Sequence, residues 1–354
     1  EDEVILPKIL SNAGYTCGLA GKLHLAPCNP SVSPEMERRT DDGYGVFHWS
    51  HHSGDGWETN AYHQWLKAKG KTYTERPHPE SEHITHGPDA DDRQTTWCAE
   101  MAIEFMEAKA KSGKPWLFSV NFFDPHHPFD APEGLLKRYA GCLDDIPLPD
   151  YLEGELEDKP PWQRREHLRA YGGYPFAEMS EQDHRLVRAS YFAMCDLIDQ
   201  QVGRMLDALQ RTGQLEDTLV IYMSDHGEML GDHGIYLKGA HFYEPAVHVP
   251  LLLSQPGILE PQRIPDLVEL TDIAPTLLAA AGMPRLPGMQ GKSFWPWLVN
   301  RDGEPHREDV YCEYYNAMPG DWNEWHPGEK DPGIGDHATM LRTRSHKLVV
   351  AHGL

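Results

Sequence analysis

Residues 217–239 read "DTLVIYMSDHGEMLGDHGIYLKG". The first seven are mostly apolar and partly β-branched, the pattern of a buried strand. The sixteen that follow hold Asp225, His226, Glu228, Asp232, His233 and Lys238 among glycines. In an open α/β sheet the carboxyl end of a strand is the edge at which ligands bind. Asp225 and His226 are adjacent at that end, and Gly227 lets the backbone turn so that both side chains reach one divalent cation. A carboxylate oxygen with an imidazole nitrogen suits Ca2+, Mg2+ or Mn2+, and zinc is compatible with the pair. A bare Asp-His pair also caps ordinary loops, so the rest of the stretch carries the distinction. Lys238 lies thirteen residues past Asp225 and is followed by Gly239, so the loop is able to fold back over the cation. A cation beside an ammonium group describes a site for an anion.

Two more strand ends carry basic groups. "GYTCGLAGKLHL" (14–25) reads as a short strand leading to Lys22 and His24, and "KPWLFSVNFFDPHHPF" (114–129) as a buried strand leading to His126 and His127. Each motif alone is weak, and a proline-bracketed histidine is often structural. Together they supply the groups needed to neutralise a tetrahedral oxyanion and to protonate a leaving oxygen.

Helical patterns separate these strands. Residues 99–113 form one. A longer one runs from an N-cap at Ser180 to Gly213, with Val187, Tyr191, Met194, Ile198, Val202, Met205 and Leu209 as its apolar stripe. Val4, Ile5, Ile9 and Leu10 recur at helical spacing before a stop at Gly14. "VPLLLS" (249–254) reads as a strand and "TDIAPTLLAAAG" (271–282) as a helix. The alternation predicts an α/β fold with a largely parallel central sheet and helices on both faces. Residues 28–90 and 128–179, rich in proline, glycine, histidine and charge, are expected to be long irregular insertions over the active site. From 306 onward the pattern turns strand-rich, predicting a small antiparallel C-terminal subdomain. The expected division is 1–300 for the α/β domain and 301–354 for that subdomain.

Bulk properties narrow the function. The chain has 354 residues, 40% of them apolar, and a formal charge of −23. That charge repels polyanions and argues against nucleic acid or an anionic membrane as partner. No stretch approaches the roughly 18 apolar residues of a membrane span. The six cysteines show no C-x-x-C pair and are expected to be reduced thiols.

At these motifs the sequence resembles the type I sulfatases of the alkaline-phosphatase-like superfamily. "SDHGEMLGDHGIYLKG", "GYTCGLAGKLHL" and "DPHHPF" carry the resemblance, and "HFYEPAVHVPLLL", "LVELTDIAPTLLAAAG" and "HREDVYCEY" continue it in the same order. One departure is His248, where an arginine commonly precedes the Val-Pro. The resemblance implies that Asp225 and His226 are ligands of a divalent cation, Ca2+ first among the candidates, with Mg2+ or Mn2+ as alternates. It implies that Lys22 and His24 hold the nucleophile and the sulfate oxygens, and that His126 and Lys238 contact the sulfate and the leaving-group oxygen. Glu228, Asp232 and His233 would order the loop or support the ligands, and His127 would be structural.

Members of that family carry their nucleophile, a cysteine oxidised to formylglycine or a serine, in a C/S-x-P-x-R segment upstream of the Lys-x-His. An Asp-Asp pair further upstream completes their metal site. Neither has a counterpart before residue 22, and "CNPS" (28–31) lies downstream with Val32 where the arginine belongs. The expectation is a chain that begins after the nucleophile segment and is by itself inactive. The implied reaction is hydrolysis of a small-molecule or saccharide sulfate ester. Three other readings compete: a phosphonate monoester or phosphodiester hydrolase of the same superfamily, a non-catalytic anion-binding relative, and an unrelated zinc hydrolase using Asp225, His226 and His233. Retention of both Lys22 and His24 favours sulfate over the phosphoester reading. Trp49, Trp57 and Trp65 are candidates to stack on a sugar or aryl group.

Overall fold

The structure, a computed structural model, describes residues 4–23, 41–54, 59–170, 173–300, 306–315 and 337–352. Along the chain these form α1 (Leu6–Asn12), β1 (Thr16–Gly21), β2 (Tyr44–Trp49), α2 (Ala61–Ala68), β3 (Arg76–Pro77), β4 (Thr85–His86), α3 (Gln94–Ala110), β5 (Trp116–Asn121), α4 (Glu133–Leu136), α5 (Pro161–Arg169), α6 (Glu181–Arg211), β6 (Val220–Met223), α7 (Glu244–Val247), β7 (Leu251–Ser254), α8 (Ile273–Ala280), α9 (Trp295–Asn300), β8 (Asp309–Tyr315), β9 (His337–Thr343) and β10 (Lys347–His352). The chain divides into two compact units, one of residues 1–148 with 181–218, the other of residues 149–180 with 219–354.

The first unit is built on a parallel sheet in the order β2-β1-β5. Successive side chains of a strand alternate between faces, and β1 uses both. Cys17 points to α1, its Sγ 3.3 Å from the Pro7 carbonyl oxygen. Gly18 and Ala20 face α3. A side chain at Gly18 would lie 2.6 Å from the Phe118 ring and 3.2 Å from Phe105, so the missing Cβ lets α3 settle close to the sheet. Ala20, Tyr62, Leu66, Trp97 and Cys98 close the core on that side, joined by Phe118 and Val120. Helices thus cover both faces, as the alternating pattern predicts. The stripe on α6 behaves as core packing: Val187 and Met194 are fully buried and Ile198 and Leu209 nearly so. Cys17, Cys98, Cys142, Cys195 and Cys312 are free thiols.

The stretch 28–90, expected to be irregular, holds β2, α2, β3 and β4. Residues 44–49 lie in the stretch expected to be irregular, yet they pair in parallel with β1 from Tyr44 to Trp49. Their glycine, histidine and tryptophan content masks a strand whose hydrogen bonds are supplied by β1. Trp49, a stacking candidate, is buried and donates from Nε1 to the Leu23 carbonyl at 3.2 Å. Trp65 packs against Tyr62 and carries Lys69 Nζ 3.9 Å from its ring centroid. Both anchor local packing, and Trp57 lies outside the described residues.

In the second unit β6 and β7 form an antiparallel pair, and β8, β9 and β10 an antiparallel sheet. β6 is less buried than its apolar sequence predicts: Val220 and Ile221 are half-buried, while Tyr222 and Met223 are exposed. The C-terminal sheet packs Ala338 and Met340 onto Trp162, Ala240 and Phe242, the segment that follows Lys238. Lys347 Nζ also reaches the Phe242 carbonyl at 2.7 Å. A buried ion cluster ties β8 to the start of α8. Arg307 donates from Nε to Asp272 Oδ2 at 2.8 Å, His306 Nε2 lies 3.0 Å from the same oxygen, and Lys292 N donates to Oδ1 at 2.6 Å. These bonds hold the Asp272 carboxyl down at about 2 against the opposing effect of burial. They also explain why "TDIAPTLL" and "HRED" occur in one chain. Among the described residues no helix is long and apolar enough to cross a membrane.

Candidate active site

In the first unit, the carboxyl ends of β1 and β5 bring basic groups around one aromatic ring. Lys22 follows β1 directly, and its backbone is stitched to the end of β5. Its N–H donates to the Asn121 carbonyl at 2.9 Å, and its own carbonyl accepts from Asn121 Nδ2 at 2.7 Å. Its ammonium lies 5.6 Å from the centroid of the buried Phe123 ring. The His126 ring is 4.8 Å from the same centroid and the His52 ring 4.6 Å, edge-on. Lys22 and His126 are therefore gathered at one sheet edge, and His52 joins them. His126 Nδ1 is 2.7 Å from the His127 carbonyl oxygen. A carbonyl only accepts, so Nδ1 carries a proton and the exchangeable position of the ring is Nε2. The His127 ring stacks on His126 at 4.1 Å.

The segment bearing these histidines is held from beneath. Arg93, just before α3, is 1% exposed and forks between the two aspartates that bracket the histidines. Its Nη1 donates to Asp130 Oδ2 at 2.7 Å and to the Asp130 carbonyl at 3.0 Å. Its Nη2 donates to Asp130 Oδ1 at 3.1 Å and to Asp124. Thr95 donates to Asp124, and Tyr73 to Asp130. Burial works against the guanidinium charge, but the two carboxylates outweigh it and keep Arg93 firmly protonated. Gln94 Oε1 takes the Phe123 N–H at 3.0 Å.

In the second unit Asp225 and His226 follow β6, as the strand pattern predicts. His226 Nε2 lies 3.7 Å from Asp225 Oδ2, and its Nδ1 is 2.8 Å from the Gly227 carbonyl oxygen. That carbonyl fixes the proton on Nδ1 and the lone pair on Nε2, the arrangement a metal-binding histidine needs. The two donors thus fit two positions of a hard divalent cation. Among the described residues no three His, Cys, Asp or Glu side chains gather as a metal site.

The loop beyond is ordered by main-chain bonds. Gly227 N donates to the Ala246 carbonyl at 2.8 Å and Glu228 N to the Pro245 carbonyl at 3.1 Å. A Cβ at Gly227 would sit 1.8 Å from the Pro245 oxygen, so glycine is required there by the approach of α7. The Glu228 carboxylate turns inward to accept from Leu230 N at 3.2 Å and from Leu237 N. Burial pushes it up to about 7, and the backbone N–H groups and Lys238 hold it from rising further. Asp232 Oδ1 accepts from Asp150 N at 2.9 Å. His233 Nδ1 lies 3.0 Å from Glu155 Oε2, and its ring stacks on Tyr243 at 4.0 Å. His233 is thus engaged away from Asp225 and His226, so the three-residue zinc centre has no support. Lys238 is half-buried, follows Leu237 at φ 68° and precedes the segment packed under the C-terminal sheet.

Of the six residues singled out in the sequence, five are described. His24 lies outside the described residues, as does the "CNPS" segment with Cys28. Sequence reasoning missed His52 and the Arg93–Asp124–Asp130 cluster. His52 lies just past β2, within the stretch expected to be irregular. The aspartates flanking "PHHPF" were visible, but only the fold shows that one arginine serves both.

Comparison with known proteins places these features in a family. The Sulfatase family model matches residues 1–283, and the model described as N-sulphoglucosamine sulphohydrolase, C-terminal, matches 231–338. The chain is 30% identical over 321 residues to the choline-sulfatase of Rhizobium meliloti, covering 86% of this chain and 57% of that protein. It is 39% identical over 227 residues to arylsulfatase K of Gallus gallus, covering 61% of this chain and 40% of that protein. The chain therefore spans about half the length of the curated relatives it matches. The phosphonate monoester hydrolase of Silicibacter pomeroyi superposes with a TM-score of 0.80 at 22% identity, over 99% of this chain and 72% of that one. That likeness shows that the two chains share a fold. With 283 residues under one family description, the chain belongs to the sulfatase family.

Proposed function

We propose that the protein hydrolyses a sulfate monoester, of a small molecule or a saccharide, with Lys22, His24, His126 and Lys238 acting on the sulfate group and Asp225 and His226 holding a divalent cation. The observation that carries this reading is the gathering of Lys22 and His126 around Phe123 at the carboxyl ends of two parallel strands, in a chain of the sulfatase family. Two cationic groups there lower the energy of charge developing on sulfate oxygens. Proton transfer falls to His126. With Nδ1–H fixed on the His127 carbonyl, the protonated ring presents Nε2–H. As the S–O bond to the alcohol breaks, that proton passes to the departing oxygen, the alcohol leaves neutral and His126 remains as neutral imidazole.

Asp225 and His226 fit a hard cation, for which Ca2+ is the first candidate. When bound, it supplies positive charge that polarises a nucleophile oxygen and a sulfate oxygen. The sulfatase family's formylglycine would supply the attacking oxygen, and Lys22 and His24 are the residues of this chain assigned to hold it. The C-terminal sheet, by packing beneath residues 240–247, steadies the segment that carries Lys238.

Parallel turnover assays on the full-length protein test this reading, with 4-nitrophenyl sulfate against a 4-nitrophenyl phosphonate monoester and a phosphodiester. Sulfate is expected to be the preferred substrate by kcat/KM. Preference for the phosphonate or phosphodiester would move the protein to the alternative reaction, and loss of all three activities would leave an anion-binding role.

A further inference from the structure

The seven residues from Asp124 to Asp130 include His126, and both ends are fastened to one guanidinium. Arg93, Asp124 and Asp130 are all nearly excluded from water, at 1%, 5% and 2% exposure. A buried ion cluster of this kind contributes little net stability compared with apolar residues of similar volume. Arg93 Nε, moreover, has no hydrogen-bond partner, an added penalty for burial. What the cluster supplies is direction. Arg93 meets Asp130 through both Nη atoms and meets Asp124 through Nη2, so the spacing of the two aspartates is fixed by a rigid planar fork. Gly87 permits this: its N–H donates to the Asp130 carbonyl at 2.9 Å, and a Cβ there would sit 2.4 Å from Arg93 Nη1. Within the clamped segment His126 N donates to the Phe123 carbonyl at 3.0 Å, and Phe123 N is in turn held by Gln94. Arg93 and Gln94 are consecutive, so the start of α3 grips the histidine segment at three points.

We propose that Arg93, through Asp124 and Asp130, is the positioning residue that aims His126 at the departing alcohol oxygen. The proposal rests on the reading of His126 as the proton donor given above. Arg93 touches no substrate in this account; it sets where Nε2 of His126 points. Misplacing a proton donor by about 1 Å reduces its contribution by on the order of a hundredfold. The loss falls on esters whose alcohol leaves poorly, because esters of acidic phenols need little protonation.

The test compares kcat and KM for phenyl sulfate and 4-nitrophenyl sulfate in the full-length protein carrying Arg93→Lys, Thr95→Val or His126→Gln. Arg93→Lys keeps the charge and removes the fork. It is expected to lose about tenfold more kcat on phenyl sulfate than on 4-nitrophenyl sulfate, with KM little changed. Thr95→Val removes one hydroxyl from Asp124 and spares the ion pairs, so it reports even where Arg93→Lys fails to fold. It should show the same selectivity at about threefold. His126→Gln is the reference and should show the largest selectivity. Equal losses on both substrates in the Arg93 and Thr95 variants, with selectivity intact in His126→Gln, would reduce the cluster to a structural role and overturn the proposal. Absence of selectivity in His126→Gln would instead sink the assignment of His126 as donor, and the proposal with it.

Discussion

Two segments that carry candidate residues, one in each unit, are held in opposite ways. In the first unit the His126 segment is fixed by side chains: one buried guanidinium, two carboxylates, a threonine and a tyrosine. In the second unit the loop after Asp225 and His226 is fixed mainly by main chain, with Gly227 and Glu228 bonded to the carbonyls of Ala246 and Pro245. The first is vulnerable to deletion and the second to addition. A charge clamp does not tolerate the loss of one partner. Backbones pressed together at a glycine tolerate loss of side chains but not one added Cβ.

The largest expected effect comes from breaking the clamp. Arg93→Met should destabilise the protein by about 3–5 kcal/mol, because two buried carboxylates lose their counter-charge. Equilibrium denaturation in urea measures it, and a loss under about 1 kcal/mol would mean that the aspartates find other partners. Adding one carbon in the second unit comes next. Gly227→Ala should cost about 3 kcal/mol, since α7 has to move to admit a Cβ 1.8 Å from the Pro245 oxygen. An unchanged unfolding midpoint would show that α7 yields freely.

Acid should expose a second contrast. His241 is 2% exposed and, by burial and then the nearby Arg165 charge, is held down to about 4. The unfolded chain takes up this proton near pH 6.5, so it binds more protons than the folded one between 6.5 and 4. Stability is therefore complete above about pH 6.5 and falls as pH drops towards 4, by on the order of 3 kcal/mol. His241→Phe should flatten that slope of unfolding free energy against pH, and an unaltered slope would remove His241 as its source. The smallest effect belongs to Thr95→Val, which removes one hydrogen bond from the clamp and should cost about 1 kcal/mol by the same urea measurement.

What could be read in the sequence follows the same divide. That Asp225 and His226 follow a strand was legible because an apolar run precedes them. Gly227 announced the turn, though not that α7 would press against it. The sheet of the first unit was legible at β1 and β5, whose residues are mainly apolar or small, and illegible at β2, whose histidine and tryptophan belong to a strand hydrogen-bonded on one side by β1. The clamp was invisible for a different reason. Arg93 is separated from Asp124 by 31 positions and from Asp130 by 37, and nothing local distinguishes it from a solvated arginine at a helix start. Burial of a charge is a tertiary fact.

The central claim is the proposal that Lys22 and Asp225 both serve the hydrolysis of a sulfate ester. Its most direct test is sulfate release from 4-nitrophenyl sulfate by the full-length protein with Lys22→Ala, from the first unit, and Asp225→Asn, from the second, each checked for unchanged thermal stability. The account predicts that either variant lowers kcat/KM by at least about a hundredfold. Near-normal turnover in either variant would contradict it.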